Sequence, residues 1–258
     1  MDTSNLFSLE GRVALVTGGS RGIGKMIVKG LLGQGAQRVY ISARKAEQCD
    51  AAAAELSALG ECVSVPADIS TLAGIRALSA EIARREPALD ILVNNAGAAW
   101  AAPFDEFPEN GWDKTVDLNM KAPFFLTQAL APQLRAAAKT RPAKVINIAS
   151  IDGISVNMWH TYAYAASKAG ILHLTKRMAL ELIKDNVVVS GIAPGPFASD
   201  MNVDARDNAE RVGQRVPAGR VGRDEDMAGA AIFLASRAGD FVVGETIVVD
   251  GGLTLSRG

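Results

Sequence analysis

Arg12–Gly24 reads RVALVTGGSRGIG, a β-branched run passing directly into a glycine-rich turn. A short, near-continuous apolar run suits a strand buried on both faces, as in a parallel sheet. The segment after it, Gly22–Gln34, has helical apolar spacing, so the stretch predicts strand, tight turn and helix in that order. Similar β-branched runs recur at Arg38–Ala43, Glu61–Pro66, Asp90–Asn94, Lys144–Ala149, Asn186–Ile192 and Glu245–Val249. Segments with helical spacing lie between them at Ala46–Leu59, Thr71–Arg85, Gly111–Lys139, Thr161–Lys184 and Asp224–Ser236. Alternation at this rhythm predicts right-handed βαβ units: an α/β, Rossmann-like, doubly wound parallel sheet of about seven strands with helices on both faces. No Pro- or Ser-rich linker divides residues 1–258, which read as a single domain. Pro194–Arg223 is the one long stretch without clear apolar periodicity, and a loop of that length in a compact domain is usually functional.

Composition bounds the function. The chain has 258 residues, 48% hydrophobic and 21% charged, enough apolar material for a sizeable core. Lys plus Arg is 27 against 28 Asp plus Glu, which gives no electrostatic footprint for nucleic acid or an anionic membrane. Two cysteines, Cys49 and Cys62, cannot form a disulfide framework and fit a reducing compartment. The opening MDTSNLFSLEGR lacks a basic start followed by an apolar run, and no stretch reaches the 18 or more apolar residues of a membrane span. A cytoplasmic protein without nucleic-acid or membrane partners is expected, and no metal-ligand pattern is found.

Thr17–Gly24 has the spacing G-x-x-x-G-x-G. Glycines there let backbone approach a phosphate, and the helix N-terminus presents free N–H groups to it. The turn lacks the Gly-Lys-Ser/Thr ending of a P-loop. About 20 residues further on, where an NAD site would carry an acid for the ribose 2′-hydroxyl, the sequence has Arg44. Arg44 and Arg21 suit a 2′-phosphate instead, so NADP(H) is the expected cofactor.

Thr17–Gly24, Asn94-Asn95-Ala96-Gly97, Ser150, Tyr164-Ala165-Ala166-Ser167-Lys168, Pro194-Gly195 and the closing Val249-Asp250-Gly251-Gly252 together resemble the compact short-chain dehydrogenases/reductases. The resemblance spans essentially the whole chain. It implies hydride transfer between a nicotinamide and a carbonyl or secondary alcohol, with Ser150, Tyr164, Lys168 and Asn119 as the catalytic set. For the cofactor it implies Gly18, Ser20, Arg21, Gly22, Ile23, Gly24, Arg44, Asp68, Ile69, Asn95, Ala96, Gly97, Tyr164, Lys168, Pro194, Gly195, Phe197 and Ser199. Asp68 stands at the adenine, and Pro194 with Gly195 flank the carboxamide. Ser199 falls where the family commonly has threonine; the hydroxyl is kept. Asn119 either holds a water beside the lysine or is a packing residue.

The residues also carry a chemical argument. Tyr164 and Lys168, four apart on a predicted helix, share one face. An ammonium roughly 4 Å from a phenol, at an effective dielectric near 20, favours the phenolate by about 4 kcal/mol, before desolvation opposes it. Ser150 would hold the substrate oxygen; no triad includes it, and His160 and His173 receive no role. Tyr162 has Ala166 four residues on, not lysine, and reads as a wall residue.

The substrate pocket is expected from Trp100, Asp152, Asn157, Met158, Trp159, His160 and Phe197; the candidate substrate contacts are Asp152, Trp159 and Phe197 of this wall together with Ser150, with 194–223 as a lid. This largely apolar wall suits a hydrophobic ketone or acyl chain, and the resemblance is strongest to reductases of 3-oxoacyl thioesters. A polyol or sugar dehydrogenase is the alternative of the same class, and a non-catalytic NADP-binding sensor or scaffold that of another. Arg141 could serve an acidic carrier protein, whereas Asp185 stands where carrier-dependent relatives often have a basic residue. The family further implies a homotetramer, pairing the helices Gly111–Lys139 and Thr161–Lys184, with Ile247–Val249 as a second contact.

Overall fold

In the computed structural model, which describes residues 3–256, the opening stretch forms β1 (Val13–Thr17) and α1 (Gly22–Gly33). The chain continues through β2 (Arg38–Ser42), α2 (Ala46–Leu56), β3 (Cys62–Ser64), α3 (Leu72–Arg85) and β4 (Ile91–Asn94). After α4 (Glu109–Val116) and α5 (Ala122–Ala138) come β5 (Ala143–Ile148), α6 (Tyr162–Leu182) and β6 (Val187–Pro194). Two short helices, α7 (Val203–Asp207) and α8 (Ala209–Gly213), precede α9 (Asp224–Ala235), β7 (Thr246–Val249) and α10 (Leu253–Ser256). The seven strands form one sheet in the order β3-β2-β1-β4-β5-β6-β7, every pair parallel. All seven expected strands are present, within about two residues at their ends. Residues 1–2 and 257–258 of the expected domain lie outside the described ones.

Alternation of side chains along each strand divides the core in two. Ala14 and Val16 of β1, Ile91 and Val93 of β4, and Ile146 and Ile148 of β5 face one side, packing with α1, α2 and α9. Val13 and Leu15, Leu92, and Ala143 and Val145 face the other, under α3, α5 and α6. Strand order reverses between β1 and β4, which opens a crevice at their carboxyl ends.

Two segments differ from the sequence expectation. Gly111–Lys139 is not one α-helix: Asp117–Lys121 forms a π-helical turn between α4 and α5. The cause is Pro123, whose missing N–H cannot donate to the Asn119 carbonyl four residues back and whose ring crowds it. The long stretch Pro194–Arg223 contains α7 and α8, each too short to show a period. The Asn202 side chain caps α7 by accepting from Ala205 N–H. No helix among the described residues is long and apolar enough to cross a membrane.

Candidate active site

The crevice is a cavity of about 1220 Å³. Every residue expected to hold a dinucleotide lines it, as do Ser150, Asp152 and Trp159. Its floor is the junction of β1 and β4. The Thr17 hydroxyl accepts from the backbone N–H of Asn95 and Ala96, both at 3.0 Å, while Asn95 Nδ2 donates to the carbonyls of Thr17 and Gly18. This leaves no room above Gly18 or Gly24. Gly18 has φ +66°, and a Cβ on it would come within 2.8 Å of Asn95 Nδ2. A Cβ on Gly24 would overlap the Gly18 carbonyl. The turn thus lies against the strand ends with its backbone bare, the form a phosphate cradle requires.

Arg44 is exposed on the wall beyond β2 and forms no side-chain hydrogen bond or ion pair with any described residue. Arg21 differs: its guanidinium donates to Asp200 at 2.6 Å, tying the glycine turn to the segment after β6. Ser199 sits on the same turn, 3.1 Å from where a Gly22 Cβ would stand, and accepts from Asn202 N–H. The Asp68 carboxylate is engaged by the backbone and hydroxyl of Ser70. Ile69 is buried beside it.

Ser150 ends β5's extension and starts a 3-10 turn, Ile151–Gly153. Gly153 packs on the Lys168 backbone too closely for a side chain, which seats the turn on α6. Ser150 Oγ accepts from Asp152 N–H at 3.1 Å and hydrogen-bonds Tyr164. Lys168, 4% exposed, donates to the Ile148 carbonyl at 2.7 Å, and its Nζ lies 5.6 Å from the Tyr164 ring centre. Burial pushes the Tyr164 phenol up to about 12; the Ser150 bond pulls the other way and the Asp152 charge adds to the rise. Burial likewise holds the Lys168 ammonium down to about 8. The expected balance is therefore reversed with protein groups alone: burial dominates both groups and favours their neutral forms, leaving Tyr164 a phenol with a proton to donate.

Asn119 lies outside the cavity lining, 2% exposed. Its side chain is fully committed: Oδ1 accepts from Ala98 N–H, while Nδ2 donates to the Ala98 carbonyl and to Ser167 Oγ. The side chain is thus the packing residue of the second expectation.

Several expectations about the wall are corrected. Phe197 keeps its place in the cavity lining, but at 2% exposed, with its ring against Gly222, it also anchors the base of the post-β6 segment. Trp100 covers Gly111 and lies under Lys114, and neither it nor His160 lines the cavity. Tyr162 stacks edge-on with Phe104 and Phe107, away from the wall, and its hydroxyl meets His160. Arg141 is spent at the opposite end of the sheet, on Asp90 and the carbonyls of Glu10 and Gly11. Asp185 pairs with Arg135. Met201, Val203, Val212 and Arg215, all within the expected lid 194–223, line the cavity; sequence reasoning missed only Leu253 among these wall residues, because nothing periodic marks the turn after β7.

Known proteins resemble this chain over nearly its whole length. Residues 12–210 match the family described as short chain dehydrogenase. The rhamnolipids biosynthesis 3-oxoacyl-[acyl-carrier-protein] reductase of Pseudomonas aeruginosa is 46% identical over 253 residues, covering 96% of this chain and 98% of that protein. The gluconate 5-dehydrogenase of Gluconobacter oxydans is 38% identical, covering 99% of this chain and all of that one. A solved Pseudomonas aeruginosa RhlG/NADP active-site complex superposes with a TM-score of 0.92, at 46% identity, covering 96% of this chain and 98% of that one. The chain belongs to the short-chain dehydrogenase family.

Proposed function

We propose that the protein is an NADP(H)-dependent oxidoreductase acting on a carbonyl or secondary alcohol. The observation that carries this is the gathering of Ser150, Tyr164 and Lys168 on one cavity wall, with Lys168 Nζ held on the Ile148 carbonyl, 5.6 Å from the Tyr164 ring centre. The chain fits the dinucleotide: the Gly18–Gly24 backbone is bare for its phosphates, and the unpaired Arg44 is placed for a 2′-phosphate. When bound, the nicotinamide supplies or accepts the hydride. Ser150 orients the substrate oxygen, and Tyr164 gives it a proton in the reductive direction. Lys168 replenishes that proton. A sensor or scaffold would have no need of this set. The fold reads as one domain, with 194–223 as its lid.

A 3-oxoacyl thioester or hydrophobic ketone is the favoured substrate. Val156, Met158 and Trp159 at the cavity mouth are 90%, 93% and 62% exposed, an apolar surface suited to an acyl chain. A sugar acid or polyol is the second reading, supported by the gluconate 5-dehydrogenase likeness. Tyr164→Phe is expected to abolish turnover while leaving NADPH affinity within a few-fold, read by NADPH absorbance and by titration. Unchanged turnover would refute the mechanism. A panel of acetoacetyl thioesters, hydrophobic diketones and sugar alcohols separates the two substrate readings.

The assembly we propose is a homotetramer. Met120, Phe124, Phe125 and Leu174 line a shallow apolar groove between the π turn, α5 and α6, suited to a second copy of the same helices. Light scattering should give about four times 27.0 kDa; a single species at 27.0 kDa would contradict it.

A further inference from the structure

Most charged groups in the cavity wall are already engaged. Arg21 pairs with Asp200, Asp204 with Arg211, and Asp117 with Lys121; Lys168 donates to Ile148, and Lys114 lies over Trp100. Arg215 is exposed on the wall and, like Arg44, forms no side-chain hydrogen bond or ion pair with any described residue. The two cannot serve one anion. Arg44 follows β2. Arg215 follows α8, where Ala218 N–H donates to the Gly251 carbonyl and Val216 packs on Gly251, just past β7. In the sheet, β2 and β7 are five strand steps apart, about 24 Å at the usual strand spacing.

We infer that Arg215 recognises an anionic group, a carboxylate or phosphate ester, carried by the substrate. The inference rests on the cavity being a dehydrogenase site and deepens that reading. The substrate then meets three points: its carbonyl at Ser150 and Tyr164, its body along Met158 and Trp159, its charge at Arg215. A guanidinium suits either oxyanion, since its planar fork matches both. The anion has two chemical sources: the phosphates of a coenzyme-A or phosphopantetheine handle, or the carboxylate of a keto acid.

Titration calorimetry on the NADP⁺-loaded protein, which cannot reduce a ketone, tests this directly. Two ligand pairs are compared: acetoacetyl-CoA against the uncharged acetoacetyl-N-acetylcysteamine, and 5-ketogluconate against fructose. Arg215→Gln should weaken binding of the charged member of one pair by roughly 10- to 100-fold, the loss of one charge-assisted contact, and leave its neutral member unchanged. Arg215→Lys should recover part of the loss. The responding pair identifies the source of the anion. Equal effects on charged and neutral members, or no effect in either pair, would overturn the inference. Failure of the NADPH-loaded protein to reduce any of the four ketones would count against the proposed function, not against this anion site.

Discussion

Lys168 is a buried cation held at a cost to stability. Its ordinary value of 10.5 is lowered to about 8, equivalent to about 3 kcal/mol of unfavourable burial. The sign follows from linkage: between about pH 8 and 10.5 the unfolded chain binds the proton that the folded one has lost, so stability rises with pH there. Below pH 8 the deficit is complete. Lys168→Met should therefore be more stable than the wild type at pH 7, by about 2 kcal/mol after loss of the Ile148 hydrogen bond. That advantage should shrink by pH 10, as urea unfolding at the two pH values would show, and turnover should be lost. A less stable variant at pH 7 would be the contrary result. The Tyr164–Lys168 pair was legible from its four-residue spacing together with Ser150 fourteen residues upstream and the family resemblance. The direction in which each group titrates was not, because it depends on how completely β5 and the Ser150 turn cover α6.

The junction of β1 and α1 has so little slack that one methyl group decides it. In Gly24→Ala the new carbon meets the Gly18 carbonyl, a backbone atom that cannot rotate away. Overpacking of this kind costs about 1–3 kcal/mol. We expect a lower melting temperature and at least about a tenfold loss of NADPH affinity by fluorescence titration; wild-type affinity would show the turn to be looser than described. This junction was readable because strand, glycines and helix follow one another directly in the chain. The π turn at Asp117–Lys121 escaped because the apolar pattern runs through it unbroken, and the single local signal is Pro123, four residues after Asn119. The segment over the cleft was expected as a lid, but its helices escaped: α7 and α8 each span five residues, too few for a period, and Phe197 and Ser199 are placed by distant partners, Gly222 and Gly22.

Across the whole molecule the two ends of the sheet have separate tasks. The carboxyl ends of the strands hold the cavity; the amino ends hold a cluster in which Asp90 is flanked by Arg12 and Arg141, and Lys144 meets Asp240 at 2.6 Å. Lys144 is 1% exposed, and burial lowers its pKa while Asp240 opposes that. Asp240→Asn would leave this ammonium without a counter-charge, a loss of about 3–5 kcal/mol. At about 2–4 °C per kcal/mol for a chain of this size, the melting temperature should fall by roughly 10 °C, with turnover at 25 °C unchanged. A shift under about 2 °C would mean that water or rearrangement replaces the partner. The pattern of strands and helices predicted this two-ended layout, while the ion cluster was hidden, since its members are scattered from Arg12 to Asp240.

Asn95 and Gly18, which touch beneath the phosphate cradle, lie 77 residues apart. A parallel sheet has no hairpins to nucleate it, and contacts this distant in sequence form slowly. On the ribosome, the cradle cannot close until β4 has emerged and paired with β1. The cofactor therefore meets only chains whose central strands are paired, so it holds a finished fold in place without guiding its assembly.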